Sequence, residues 1–304
     1  MIIAITGGSG FIGENLVERH IRRGDQVRIL SRKPPLKGVN AEYFFGDLSS
    51  SDVDLSSFVD NVDILYHCAG EINNESLMQE LHVQGTQRLV DAAQWKISRW
   101  VQLSSVGTYG ACRAGLITEK SKEQPVGIYE TTKTKSDQIV KKSTIPYVIL
   151  RPSNIFGNNM PNKSLTGLLY AVRKGFFFYI GKKNKSVVNY IHVSDVVDAL
   201  IHCGSNEEAL GEVFNLSQST TVEGMISYFA SGMESNKKIL RLPEEGVRMI
   251  VSFSKWFPGF PLTPSRVDAL TGRCVYDSTK IEKKIGFRCA MALEERFKLF
   301  AKQK

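Results

Sequence analysis

Two side chains are spaced for proton transfer. Tyr129 and Lys133 stand four residues apart in Tyr129-Glu130-Thr131-Thr132-Lys133, so on a helix they share one face. A phenol titrates near about 10 and is a poor base in water. An ammonium one turn away can lower that pKa and make Tyr129 a usable acid or base. A second stretch, Thr6-Gly7-Gly8-Ser9-Gly10-Phe11-Ile12-Gly13, is built to hold phosphate. Gly7 permits a tight turn, Gly10 leaves no side chain in the path of a pyrophosphate, and Gly13 lets helix and strand pack closely. The helix opening at Phe11 and Ile12 then offers backbone N–H groups and the positive end of its dipole. The loop predicts dinucleotide binding.

These residues need a frame. Short apolar runs at Ile2–Ile5, Gln26–Leu30, Glu42–Phe45, Ile64–His67, Trp100–Ser104 and Tyr147–Leu150 read as strands covered on both faces. Helical patterns at Phe11–Arg23, Val83–Trp95 and Tyr129–Ser143 lie between them. The alternation predicts an α/β fold: a Rossmann-type, doubly wound parallel sheet of six strands. Residues 1–157 form the expected dinucleotide-binding domain, with returns at 189–205 and 211–217. Residues 158–304 form mainly a smaller, discontinuous substrate-binding domain, closed by an amphipathic helix near Leu293–Ala301.

The end of the second strand selects the cofactor. An acid there would bond the ribose 2′-OH of NAD, but this strand runs into Ser31-Arg32-Lys33. Ser31 can donate to a 2′-phosphate and Arg32 can pair with it. NADP(H) is therefore favoured, with NAD(H) the alternative.

With this loop and these motifs the chain resembles the extended short-chain dehydrogenase/reductase family, particularly its nucleotide-sugar epimerases, dehydratases and reductases. The resemblance covers nearly the whole chain. It implies a catalytic set of Ser105, Tyr129 and Lys133, in which Ser105 of Ser104-Ser105-Val106-Gly107-Thr108-Tyr109-Gly110 hydrogen-bonds the reacting oxygen. Ser104 would lie beside it at the strand end. Gly46-Asp47-Leu48 is similar to the adenine-binding turn, with Asp47 accepting from the adenine amino group. His67-Cys68-Ala69-Gly70 is similar to the small-residue segment beneath the cofactor. Leu150-Arg151-Pro152-Ser153-Asn154 resembles the strand end that touches the nicotinamide and, through Asn154, the substrate diphosphate. Arg266 resembles a diphosphate-binding arginine, and Tyr190-Ile191-His192-Val193-Ser194-Asp195 matches a structural segment. The resemblance also implies a homodimer formed through helices 83–95 and 129–143.

Departures narrow the chemistry. The family's dehydratases carry Asp-Glu directly after the catalytic hydroxyl residue, where this chain has Val106 and Gly107, which disfavours dehydration. His82 stands where many relatives have Asn, as a buried residue bonded to backbone or as a second proton donor. Val188 occupies the place of an epimerase diphosphate-binding arginine, for which Arg273 could compensate. A nucleotide-sugar 4-keto reductase or 4-epimerase is the leading expectation. A reductase of apolar ketones, of flavonol or 3-hydroxysteroid type, and a non-catalytic NADP sensor are the alternatives.

Bulk properties bound the rest. The 304 residues carry a formal net charge of +8 without a nucleic-acid motif, so the charge reads as scattered surface lysines that favour anionic substrates. Five cysteines with no CxxC pair argue against a disulfide framework or zinc site and for a reducing cytoplasm. No apolar run reaches membrane-spanning length. The aromatic stretch Val251–Leu262, with Arg241, Arg248 and Lys255 nearby, is expected to cap the pocket or to touch a membrane surface peripherally.

Overall fold

The computed structural model describes residues 1–33, 38–112, 114–234, 238–253 and 262–303. The first elements are β1 (Ile2–Thr6), α1 (Phe11–Arg22), β2 (Gln26–Ser31), β3 (Glu42–Phe45), α2 (Leu55–Val59) and β4 (Val62–His67). Next, α3 (Glu75–Met78), a π-helical turn (Gln79–Gly85) and α4 (Thr86–Ala93) lead into β5 (Ile97–Leu103). A 3₁₀ turn (Val106–Tyr109), β6 (Ala114–Ile117), α5 (Ile128–Lys142), β7 (Tyr147–Pro152) and β8 (Asn154–Phe156) follow. Then come α6 (Ser164–Lys174), β9 (Tyr179–Ile180), β10 (Val187–His192), α7 (Val193–Ser205), β11 (Val213–Leu216) and β12 (Gln218–Thr221). The chain continues through α8 (Val222–Gly232), β13 (Arg241–Leu242), α9 (Glu244–Phe253), α10 (Pro264–Thr271), β14 (Arg273–Tyr276), α11 (Thr279–Ile285) and α12 (Leu293–Lys302).

Among the described residues, seven strands form one parallel sheet in the order β11-β7-β5-β4-β1-β2-β3. Alternate residues of β1 enter opposite cores: Ile3 and Ile5 pack with Leu16 and Leu200, and Ala4 packs with Leu65 and Trp100. That double burial explains why the strands read as continuous apolar runs. β1 lies between β2 and β4, where the strand order reverses, so the crevice for a ligand opens above its C-terminal end.

Three details differ from the sequence expectation. The sheet has a seventh strand, β11, which pairs with β7 at the edge. Residues 189–205 divide: β10 joins a small sheet between β8 and β12, while α7 packs Val196, Val197 and Leu200 on the large one. The expected helix over 83–95 has other bounds and continues the helical turns before it without a break. It begins inside the π-helical turn, α4 stops at Ala93, and Trp95 takes a left-handed φ of 65°. Gly85 lies where a Cβ would stand 2.7 Å from Leu48 O, so only glycine permits this approach. A further core of Phe156, Phe229, Phe297 and Phe300 organises the C-terminal elements. Most of the expected aromatic cap, residues 254–261, lies outside the described residues. Among those described, no helix is long and apolar enough to cross a membrane.

Arg99 ties α7 to the sheet. Its buried guanidinium on β5 donates to Cys203 O (3.3 Å), Gly204 O (2.6 Å) and Asn206 O (3.1 Å), and pairs with Glu207. Carbonyls at a helix C-terminus need such donors, and a cation suits that end of the dipole. Arg99→Met, which keeps the aliphatic stem, is expected to cost about 2–4 kcal/mol of unfolding free energy. Urea unfolding at wild-type stability would show that these carbonyls do not depend on it.

Candidate active site

The glycine loop joins β1 to α1 at the switch point. Gly7 has φ +69°, and a Cβ on it would stand 2.8 Å from Ala69 Cα. A Cβ on Gly13 would come within 2.1 Å of Gly7 O. Gly10 caps α1 without a side-chain bond, and Glu14 N–H makes the first helical bond, to Gly10 O. The N–H groups of Phe11, Ile12 and Gly13 thus open the helix without intrahelical acceptors. Beside the loop lies a cavity of about 190 Å³, lined by Gly7, Gly10, Ser31, Arg32, Asp47 and Leu48, and floored by Cys68, Ala69 and Gly70. A bare backbone cradle, a helix N-terminus and an adjoining cavity fit a dinucleotide.

The structure uses the cavity's polar side chains in specific ways. Ser31 Oγ donates to Ser9 Oγ (3.0 Å) and accepts from Lys33 N–H (3.0 Å). Arg32 is half exposed and stands 3.5 Å from Asp47 Oδ2. Asp47 Oδ1 accepts from the Ser49 N–H and hydroxyl. Burial opposes ionisation of Asp47, but Ser49 and Arg32 together hold its carboxyl below the usual range. Sequence reasoning passed over Thr6, Ser9 and Leu81, which also line this cavity. Thr6 and Ser9 belong to the glycine loop itself, which was the available signal.

Tyr129 and Lys133 lie on α5, which packs on the end of β5, and Ser105 follows that strand end. Lys133 Nζ donates to Leu103 O (2.6 Å), and the next residue, Ser104, donates through Oγ to Asp137 (2.7 Å). Gln102 donates to Ser136 Oγ (2.8 Å), and Thr134 to Thr108 Oγ1 (2.8 Å). β5 ends at Leu103, so Ser104 follows the strand with its side chain turned into α5, and Ser105 caps the 3₁₀ turn. Ser105 Oγ accepts from Gly107 N–H (3.1 Å), leaving its proton available to a ligand.

Electrostatics here differ from the sequence reading. Burial, then Glu130 and Asp137, push the Tyr129 phenol up to about 12 rather than down. Burial lowers the Lys133 pKa, while Asp137 and Cys68 raise it again. Desolvation as α5 packs on the sheet is the largest cause of the raised phenol pKa, and Lys133 is not among the groups that shift it.

His82 is buried and bonded to backbone, the first of its two readings. Its Nε2 accepts from Glu71 N–H (2.8 Å), so Nδ1 carries the proton to Thr132 Oγ1 (2.8 Å). Its ring meets Tyr129 edge-on at 5.7 Å. Burial and Lys133 drive its pKa down to about 3, so it stays neutral near neutral pH. His82 thereby pins the segment after Gly70 to α5. A parallel chain of buried bonds runs Thr6–His67–Thr86–Ser136.

Sequence reasoning also missed a buried charge cluster beneath the pair. Arg151, 1% exposed, donates to Asp137 (3.2 and 3.0 Å), Glu123 (2.6 Å) and Tyr109 Oη (3.2 Å). The Leu150–Asn154 motif contained Arg151, but nothing local pointed to its partners. Pro152 ends β7 buried against Leu216.

The expected substrate residues lie on other elements. Asn154 is exposed on β8 and donates to Asn189 O (3.1 Å). Arg266 lies in the first turn of α10, its N–H bonded to Thr263 Oγ1 (3.3 Å). Val188 is buried in the aromatic core of the C-terminal elements. Arg273 lines a second cavity of about 220 Å³ with Glu244, Arg248 and Asp268.

A doubly wound sheet with a glycine cradle at its switch point defines a dinucleotide-binding protein. A family profile described as the NAD dependent epimerase/dehydratase family matches residues 3–217, and the chain belongs to that family. It is 24% identical to the UDP-glucose 4-epimerase of Vibrio cholerae over 314 residues, covering 97% of this chain and 93% of the relative. It is 24% identical to the decarboxylating sterol-4-alpha-carboxylate 3-dehydrogenase of Mus musculus over 324 residues, covering 96% and 87%. Among solved structures, the UDP-glucose 4-epimerase of Thermotoga maritima with UDP-glucose superposes with a TM-score of 0.75 at 19% identity, covering 99% of this chain and 97% of that one.

The Gly13 contact gives a direct check of the cradle. Gly13→Ala must push α1 off the Gly7 carbonyl, and overpacking of this kind costs about 1–3 kcal/mol. Calorimetric titration is expected to show NAD(H) and NADP(H) binding weakened about tenfold or more, with a lowered melting temperature. Unchanged binding would show that the loop does not hold the cofactor.

Proposed function

We propose that this chain is an NAD(P)-dependent oxidoreductase acting on a nucleotide-activated sugar, as a 4-epimerase or 4-keto reductase. The observation that supports the reading is the packing of α5 on the end of β5, where Lys133 bonds Leu103 O and Asp137 bonds Ser104, while Cys68, which interacts with Lys133, borders a cavity suited to a dinucleotide. The family match and the epimerase relative support it. The cofactor, when bound, supplies hydride exchange at the sugar carbon. Tyr129 gives or takes the proton on the sugar oxygen, and Ser105 donates a hydrogen bond to that oxygen. Lys133 places a positive charge on the same helix face. The glycine loop and the N-terminus of α1 hold the pyrophosphate, Asp47 and Leu48 border the adenosine end, and Asn154 and Arg266 bind the substrate diphosphate. Val106 and Gly107 supply no acid pair, so elimination of water is not part of the reaction. A homodimer through α4 and α5 belongs to the same reading.

A second reading, an apolar-ketone reductase, draws on Val188. It is buried among aromatic side chains where a diphosphate-binding arginine would stand, and the sterol dehydrogenase relative covers nearly the whole chain. Mass spectrometry of products from panels of nucleotide sugars and apolar ketones, with and without NADPH, separates the two. A 4-epimer or 4-reduced nucleotide sugar is expected; turnover of ketones alone would sink the first reading. In the active assay Tyr129→Phe is expected to cut turnover about 10²–10⁴-fold with cofactor affinity nearly unchanged. Ser105→Ala should slow it about 10²-fold. Near wild-type hydride transfer in the phenylalanine variant would remove Tyr129 from the mechanism.

Within this reading NADP(H) is the preferred cofactor. Arg32 is half exposed at the cavity wall and Ser31 lies beside it. Asp47 is the competing partner of Arg32, so a 2′-phosphate must draw the guanidinium from a carboxylate 3.5 Å away. Arg32→Asp is expected to weaken NADPH about tenfold, a value reduced by solvent screening, while NADH changes little. Dissociation constants that favour NADH in the wild type would overturn the preference.

A further inference from the structure

Asp137 is used in an unusual way. It is fully buried, one turn beyond Lys133 and two beyond Tyr129 on α5. Oδ2 alone accepts the Ser104 hydroxyl (2.7 Å) and both Arg151 Nε (3.2 Å) and Nη2 (3.0 Å). Oδ1 is buried and has no hydrogen-bond partner among the described residues. A carboxylate serving only to neutralise an arginine gains most from the fork geometry, with one oxygen for each nitrogen. Here that geometry is forgone at the cost of a bare buried oxygen, and Arg151 Nη2 is shared with Glu123.

We propose that Asp137 is a positioning residue of the site: its carboxylate anchors Ser104, and so Ser105, against α5 and is the buried counter-ion of Lys133. The proposal rests on the roles given above to Ser105, Tyr129 and Lys133. Lys133 and Asp137 grip consecutive residues, Leu103 and Ser104, immediately before Ser105. Lys133 Nζ bonds the Leu103 carbonyl on β5, and its charge is felt by Cys68 after β4 and by two histidines. His67 on β4 and His82 in the π-helical turn are held neutral by burial and by Lys133 itself. Asp137 is the carboxylate that opposes the burial of Lys133. Burial pushes the Asp137 carboxyl up, and Arg151, Ser104 and Lys133 pull it back towards the charged form.

The sign follows. Removing the negative charge lowers the Lys133 pKa, and lowers that of Tyr129, which Asp137 raises. Any step that needs the ammonium is then lost at a lower pH.

The test is Asp137→Asn, which keeps the volume and an acceptor for Ser104. In cofactor-free protein the Lys133 ¹³Cε resonance, assigned with Lys133→Met, is expected to titrate about one pH unit lower or more. The high-pH limb of kcat/KM should move in the same direction. Glu123→Gln, which removes the other carboxylate on Arg151, should leave both in place. If Asp137→Asn does not fold, Ser104→Ala replaces it. Losing that hydroxyl leaves Asp137 ionised beside Arg151, so the Lys133 titration should stay in place while kcat falls about tenfold with KM held. An unmoved Lys133 titration in a folded Asp137→Asn protein, or an unchanged kcat in Ser104→Ala, overturns the proposal. Because the resonance is read without turnover, failure here is distinct from failure of the catalytic reading, which Tyr129→Phe reports.

Discussion

A row of buried polar contacts between α5 and the end of β5 is the constraint on which the rest of the site depends. Gln102–Ser136, Leu103–Lys133, Ser104–Asp137 and Thr108–Thr134 bind successive residues of the strand end and turn to one helix face. Each partner is buried, so breaking one pair leaves a desolvated polar atom behind, which costs more than the bond contributes. Several such pairs together fix both the rotation of α5 about its axis and its position along β5. Tyr129 and Lys133 inherit their placement from that registry. His82 adds a second fixed point by tying the segment after Gly70 to Thr132.

The glycine cradle obeys a different constraint, that of distance. Gly7 and Gly13 lie where any Cβ would overlap backbone, so β1, α1 and the segment after β4 approach more closely than side chains allow. That closeness brings Ala69 and Gly70 beneath the loop. The two constraints meet in this segment, because Cys68 and Gly70 border the cavity while Glu71 holds His82. The cofactor crevice and the Tyr129–Lys133 face are therefore coupled by a few covalently adjacent residues.

The family profile ends at residue 217, close to the last strand of the large sheet. Beyond it lie Phe229, Phe297 and Phe300 of the aromatic core, which also draws on Phe156 and Val188 within the matched span, and the elements carrying Arg266 and Arg273. Relatives that span this region include a UDP-glucose epimerase and a sterol dehydrogenase at equal identity. A fold positions chemistry without naming its substrate, so relatives with such different names can share it.

What was legible in the sequence was local. The glycine spacing, the apolar runs and the four-residue interval from Tyr129 to Lys133 depend on neighbours in the chain, and backbone periodicity translates them directly into loop, strand and helix face. The extra strand β11 was visible as a short apolar return, but its place at the sheet edge was not. Nor could local pattern separate β10 from α7, which follow each other without a break yet pack on different sheets. Burial was decided only by tertiary structure, and in the cofactor-free chain burial pushes the Tyr129 phenol up, where residue spacing alone pointed to a lower pKa. The partners of Arg151, Asp137 and His82 are separated from them by 11 to 50 residues. Sequence alone determined which groups could do the chemistry, because residue type and spacing are covalent facts. Their protonation and mutual position were decided by packing, because desolvation and long-range hydrogen bonds exist only once the helices close on the sheet.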